Sequence, residues 1–183
     1  MSESVLVTYC APTLAGIKTA NLFSCQCSSR SSALFAVKCW NKALNNKGVY
    51  AVLMRYRNKR ALIYVYRRSK LIQDFSDSQA KEFLNIFGYG GMTLTQMLEV
   101  LSCKLSSQED FPHEIGIFLG YPIDDVKGFI KNGGKNCKIA GHWKVYADEK
   151  RAEKLFCKYK KCTDIYCRKL GEGTPLHRLT VGS

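Results

Sequence analysis

The sequence predicts an α+β fold: a small, mostly antiparallel sheet with a central hairpin, packed by several helices that include a helix-turn-helix-like corner. Three observations carry this reading. Val49–Arg57 and Arg60–Arg67 are β-rich runs separated only by Asn58-Lys59, a spacing that suits a tight hairpin although it lacks the preferred Asn-Gly. The second run is apolar on both alternating faces, with Leu62, Tyr64 and Tyr66 on one and Ala61, Ile63 and Val65 on the other. A strand of that kind needs cover, so helices must pack on at least one face of the sheet. Most of the remaining chain carries helical spacing bounded by caps and glycine stops.

Taken in order, Val5–Tyr9 reads as a short buried strand that ends at Cys10-Ala-Pro-Thr, because Pro12 cannot continue a strand. Thr13 to Phe23 then reads as a helix, followed by a serine-rich break at Ser28–Ser32. Ser31 or Ser32 can cap a second helix that presents Leu34, Val37, Ala43 and Leu44 and stops at Gly48. After the hairpin, Ser76–Phe87 is helical up to Gly88, and Thr93 caps a helix to about Ser106. Two short helices are expected between Phe111 and Lys131, and a strand over His142–Ala147. Asp148 caps a last helix to about Lys169, whose stripe of Ala152, Leu155, Phe156 and Tyr159 packs inward. The tail Gly171–Ser183 is expected to be partly ordered. With no internal repeat and no long linker, residues 1–183 are expected to form a single domain.

No apolar run approaches the ~20 residues needed to cross a bilayer. The N-terminal stretch has Glu3 and no basic region before its short apolar run, unlike a secretory signal, so a cytoplasmic location is expected. The nine cysteines are odd in number and scattered, which suits reduced thiols acting mostly as small buried hydrophobes. The net charge of +13 is uneven. Residues 1–61 hold nine cations and one acid (+8), residues 62–122 five and seven (−2), and residues 123–183 fourteen and seven (+7). Such a field draws anions, whether small metabolites, nucleic acid or acidic surfaces.

Phe111–Lys131 fits the packing pattern of a DNA-reading corner, with Gly120 in the turn, Gly116 where the helices cross and Val126 as the buried aliphatic. The exposed start of its second helix carries Pro122, Asp124 and Asp125. Carboxylates there repel phosphates but favour a helix N-terminus. The pair is read as a cap, and the unit as a corner that builds the core. The hairpin offers another nucleic-acid route, because Arg55, Arg57, Lys59, Arg60, Arg67 and Arg68 interleave with Tyr50, Tyr56, Tyr64 and Tyr66. Aromatic rings framed by cations can stack bases of single strands.

Chemistry-bearing residues are few. Cys10 stands at the expected end of the first strand, where a thiol before a helix N-terminus can act as a nucleophile. Lys18 follows within reach as an anion anchor, although no phosphate-loop pattern surrounds it. His113-Glu114 lacks the second histidine of a zinc protease, since position 117 is Ile. His113 can still serve as a general acid or base, or join His142 and Cys137 on a metal. Cys157, Cys162 and Cys167 point in different directions on one helix, and Cys25-Gln-Cys27 is too close for a zinc knuckle.

The segments CAPTLAGIKTANLFSC, FPHEIGIFLGYPIDDVKGFI, WKVY and KYKKCTDIYCRKL resemble a domain-of-unknown-function family, number 3793, of clostridia-type anaerobic bacteria. The resemblance runs from Val5 to about Val181 and carries no established activity. Cys10, Pro12, Lys18, His113, Glu114, Gly120, Pro122, Gly141 and Trp143 stand at its motif positions, whereas His142 and Cys137 depart from its aromatic residues.

The sequence reading is therefore an enzyme-like or small-anion or cofactor-binding site between the Cys10–Lys18 loop and the start of the His113 helix. Cys10, His113 and Glu114 are its catalytic candidates, and Lys18, Thr13 and Trp143 its ligand contacts. The cofactor is not identified, no metal is assigned, and no membrane partner is expected. Two alternatives stay open: an RNA or single-strand binder using the hairpin 49–68, and a thiol redox or metal-handling protein.

Overall fold

The computed structural model of the chain describes residues 1–107 and 111–182. Its sheet is built around the expected hairpin, β2 (Val49–Arg57) and β3 (Arg60–Arg67). Asn58 and Lys59 both take left-handed φ, 51° and 54°, the geometry that a two-residue turn between right-twisted strands requires. The third strand comes from earlier in the chain. Here β1 denotes Ala20–Gln26, which pairs antiparallel with β3 from Ala20 opposite Tyr66 to Gln26 opposite Arg60. The order β1-β3-β2 makes β3 central, and its two apolar faces are both covered.

One face lies under α1 (Glu3–Leu14), α2 (Arg30–Leu44) and the short α9 (Leu176–Leu179), where Leu6, Cys10, Trp40 and Leu176 pack with Ala61, Ile63 and Val65. The other face lies under α3 (Arg68–Ser76), α4 (Ser78–Ile86), α5 (Leu94–Ser106), α6 (Ile115–Phe118) and α7 (Ile123–Lys131). There Tyr64 and Tyr66 pack with Leu71, Phe83, Leu101, Phe118 and Val126. A third, smaller cluster of Trp143, Val145, Ala152 and Tyr159 joins the two-stranded ribbon β4 (Ile139–Ala140) and β5 (Lys144–Val145) to the long α8 (Glu149–Gly171).

The first 26 residues reverse the sequence expectation. Val5–Tyr9 is helical rather than extended, because burial of Leu6, Val7, Cys10, Ala11 and Leu14 follows a helical stripe that outweighs the β-preference of the valines. Pro12 lies in the last turn of α1 instead of opening a helix. The Thr13–Phe23 helix is replaced by a loop and β1. Burial of the Arg67 side chain completes this end: its guanidinium donates to the carbonyls of Thr13, Leu14 and Val181, which ties α1 and the C-terminal tail to β3.

Other boundaries shift less. The second helix is capped by Ser29, whose hydroxyl accepts from Ser32 N at 3.0 Å, rather than by Ser31 or Ser32. Gly48 follows a 3-10 turn with φ 72°. α3 is an addition, and α4 starts after it at an Asp77 cap. The Thr93 cap is present as a full capping box with Gln96, and Asp148 caps α8 through Arg151 N. The expected strand at His142–Ala147 narrows to Lys144–Val145. The C-terminal tail turns back as α9, with Leu176, Leu179 and Thr180 buried; Ser183 lies outside the described residues.

The helical corner forms with a shorter first arm, since a turn at His113-Glu114 precedes α6. Gly116 sits where the arms meet, and a Cβ there would fall 2.6 Å from Val126 Cγ2. Gly116→Ala is therefore expected to lower stability by about 1–3 kcal/mol, with Val126→Ala in the same chain restoring most of it. Urea denaturation of the three proteins checks this, and a Gly116→Ala chain as stable as the wild type contradicts the contact.

Candidate functional site

The corner and the ribbon enclose a cavity of about 510 Å³. Leu22, Ile115, Leu119 and Val126 line it with aliphatic surface, and the rings of Phe111, His113, Tyr121, Phe129 and Trp143 surround that base. Tyr121 and Trp143 stack at 4.9 Å between centroids, and His113 leans on Phe129 at 4.9 Å. Gly141 and Lys144 of the ribbon complete the wall.

A ribbon with two residues in each strand cannot hold its own position. It is fastened by Asp125, a buried carboxylate on the first turn of α7. One oxygen accepts from Trp143 Nε1 at 2.8 Å, and the other from the backbone N–H groups of Tyr146 and Ala147 at 2.8 and 2.9 Å. The sequence reading of Asp125 as a helix cap is thus corrected: the side chain turns outward from its own helix to the segment twenty residues later. Close approach completes the dock, since a Cβ on Gly128 would lie 2.6 Å from the Tyr146 ring.

Three N–H donors compensate the Asp125 charge. Lys144 is the other charged side chain of the wall. Lys144 Nζ donates to Gly134 O at 2.7 Å and lies 5.9 Å from the Phe129 centroid, with no carboxylate at salt-bridge distance among the described residues. The ring of His113 makes aromatic contacts to Phe111 and Phe129. Between Asp125 and Asp148 the chain carries five lysines and no acid.

The sequence-proposed residues divide among four environments. His113 and Trp143 meet in this cavity. Glu114, though adjacent, faces the opposite way: its Oε1 lies 2.7 Å from Lys104 Nζ and accepts from Tyr89 Oη at 3.1 Å. Burial, followed by the Glu114 charge, pushes the Tyr89 phenol up. Thr13 is buried at the end of α1 and donates to Asn21 Oδ1 at 2.7 Å. Cys10 belongs to the core on the far face of the sheet, where burial drives its thiol far above the ordinary range and the nearby Lys18 offsets little. A fully buried, protonated thiol is not a nucleophile.

Lys18 stands between these environments. Its ammonium is buried, donates to the carbonyls of Ala20 and Leu119, and lies 5.2 Å from the Tyr121 centroid, behind the cavity wall. Burial pushes it down to about 7, against a weaker contrary effect of Cys10. Burial and then the Lys18 charge also lower the imidazole of His142, which packs on Phe156 and Tyr159.

Of the hairpin tyrosines, Tyr64 and Tyr66 are buried and Tyr50 and Tyr56 half-buried. Tyr64 and Tyr66 are buried beneath the second helical layer, Tyr50 stacks on Tyr66 at 5.6 Å, and Tyr64 Oη donates to Phe118 O. The two buried rings, Tyr64 and Tyr66, cannot stack bases. All nine cysteines are free thiols, and no group of three or more His, Cys, Asp or Glu among the described residues is placed to hold a metal ion. No helix of the described residues is long and apolar enough to cross a membrane.

The aromatic lining could have been suspected from the ring density of residues 111–146, but the fastening role of Asp125 had no signal in sequence spacing. Asp125→Ala leaves one buried donor and two partly buried donors without their acceptor and is expected to lower stability by about 2 kcal/mol, with a red shift of Trp143 emission; urea unfolding followed by fluorescence checks both. Lys18→Met tests the buried amine through pH. In the folded chain Lys18 loses its proton near 7, and in the unfolded chain near 10.5. The penalty of burying the charge is therefore complete below about pH 7 and fades as pH rises toward 10.5. The stability of Lys18→Met relative to wild type is expected to be greatest below pH 7 and to shrink by on the order of a few kcal/mol by about pH 10, as read by urea unfolding across that range.

No curated protein and no solved structure matches the chain. A family model described as "Protein of unknown function (DUF3793)" matches residues 6–180. With nearly its whole length covered, the chain belongs to that family.

Proposed function

We propose that the cavity between the helical corner and the ribbon binds a small planar aromatic molecule bearing an anionic group. The observation that carries this is the ring of five aromatic side chains around an aliphatic base, in a volume of about 510 Å³. That size and lining suit a compact ligand held mainly by apolar contact and oriented by a few polar groups. Stacked and edge-on rings favour a flat partner.

The anionic preference rests on charge. Lys144 and His113 are the wall groups able to meet an acid group, the Asp125 carboxylate is engaged by three donors, and five lysines occupy residues 126–147 without an acid. A carboxylate, sulfonate or phosphate at the mouth gains from this field, whereas a cation is repelled. Binding and orientation are the roles this arrangement supports, with Trp143 and Tyr121 as the stacking surface, Lys144 as the charge anchor and His113 as a second polar contact. Cys10 and Glu114 take no part in it.

Anilinonaphthalene sulfonate is a direct probe, because its emission can be excited by energy transfer from Trp143. Saturable binding with a micromolar Kd is expected. Lys144→Met should weaken it about tenfold, the equivalent of about 1.4 kcal/mol, and Ala140→Phe, which fills the cavity, should abolish it. The uncharged phenylnaphthylamine should bind at least about tenfold more weakly than the sulfonate. Affinity unchanged by both substitutions in folded protein contradicts the proposal.

A further inference from the structure

The long helix α8 carries a second kind of surface. Its inner side packs through Ala152 and Tyr159, with Leu155, Phe156, Tyr166 and Leu170 half-buried beside them. At 100° per residue, Lys150, Arg151, Lys154, Lys158, Lys161, Arg168 and Lys169 all fall within a sector of about 100° on the outer side. Each of the seven is exposed. The three acids of the helix, Glu149, Glu153 and Asp164, fall on a different flank, as does Lys160. The stripe spans twenty residues, with roughly 28 Å between its ends.

Mixed charges spaced along one helical face would neutralise each other through neighbouring pairs. Here the signs are segregated. Among the described residues, the only carboxylate at salt-bridge distance from the stripe is Glu172, 3.9 Å from Arg168, with both side chains well exposed. The other six cations of the stripe have no carboxylate at salt-bridge distance among the described residues and are open to an external anion.

We infer that this stripe binds the phosphate backbone of a nucleic-acid strand without reading its sequence. Seven cations along one side of the helix, grouped at residues 150–161 and again at 168–169, offer several contacts to a linear array of phosphates. Ile165 is the apolar side chain exposed within the sector, and no aromatic ring lies there to stack a base, so backbone contact is what the surface provides. An amphipathic helix that lies on a membrane needs a free apolar face to insert. The apolar face of α8 is already spent on the protein's own core.

The test uses the full chain and a labelled, single-stranded DNA of ~20 nucleotides, with anisotropy followed over a range of salt. Tight binding at low salt that falls steeply with salt is expected. Substituting Lys154, Lys158 and Lys161 together by Glu should weaken it at least tenfold and reduce the slope of log K against log salt by about 2, at ~0.7 per lost phosphate contact. The control Lys38→Glu, Lys42→Glu, Lys81→Glu makes the same change in net charge at exposed positions elsewhere, and it should retain most of the affinity. Equal loss in both variants overturns the assignment to α8. Absent nucleic-acid binding also overturns it, as does binding to phosphatidylserine vesicles or polyglutamate that matches or exceeds that to DNA.

Discussion

The candidate site depends on one buried carboxylate. Asp125 holds Trp143 by its indole and the chain at Tyr146 and Ala147 by their backbone, so a ribbon too short to be stable alone acquires a fixed place against α7. Once Trp143 is fixed, Tyr121 can stack on it and Phe156 can meet it edge-on at 4.6 Å. The cavity is what remains between those rings and the aliphatic floor of the corner. The bond from Trp143 is buried and the two backbone bonds are partly buried, and bonds to a carboxylate are among the stronger ones and costly to lose.

The central strand imposes a second constraint. Because β3 is buried on both faces, the sheet separates the two larger hydrophobic clusters, and chemistry-bearing residues fall on one side or the other. Cys10 lies with α1 and α2, whereas His113 and Trp143 lie beyond the opposite layer. Lys18 is the exception. It sits at the open end of β1, near Cys10 on one side and against Leu119 and Tyr121 on the other. A lysine that reaches across the sheet's end and is pushed down to about 7 by burial makes this junction sensitive to pH near neutrality, and Tyr121 of the cavity wall lies against it.

Local rules made much of this architecture legible. The hairpin, its two-residue turn, the capping box at Thr93, the Asp148 cap and the packing role of Gly116 all follow from short-range chemistry that a sequence displays. The N-terminal region is not legible locally, because Val5 and Val7 favour strand, while burial of Leu6, Cys10 and Leu14 along one helical face depends on the partner surface. Glu114 and Asp125 show the same limit at the site. Each is an acid near a helix start. Their actual partners, Lys104 and Tyr89 for one and the ribbon for the other, come from elements that only the fold brings near.

The claim that the aromatic cavity is a ligand site is tested most directly by the two tryptophans. Trp143 lines the cavity, while Trp40 is buried in the core on the far face of the sheet. In a nitrogen–proton correlation spectrum each contributes one indole signal. Titration with naphthalene carboxylate should move the Trp143 signal progressively and saturably, together with the amides of Gly116 and Gly141, and leave the Trp40 signal in place. A Trp143 signal that stays still throughout, or equal displacement of both indoles, would contradict the account.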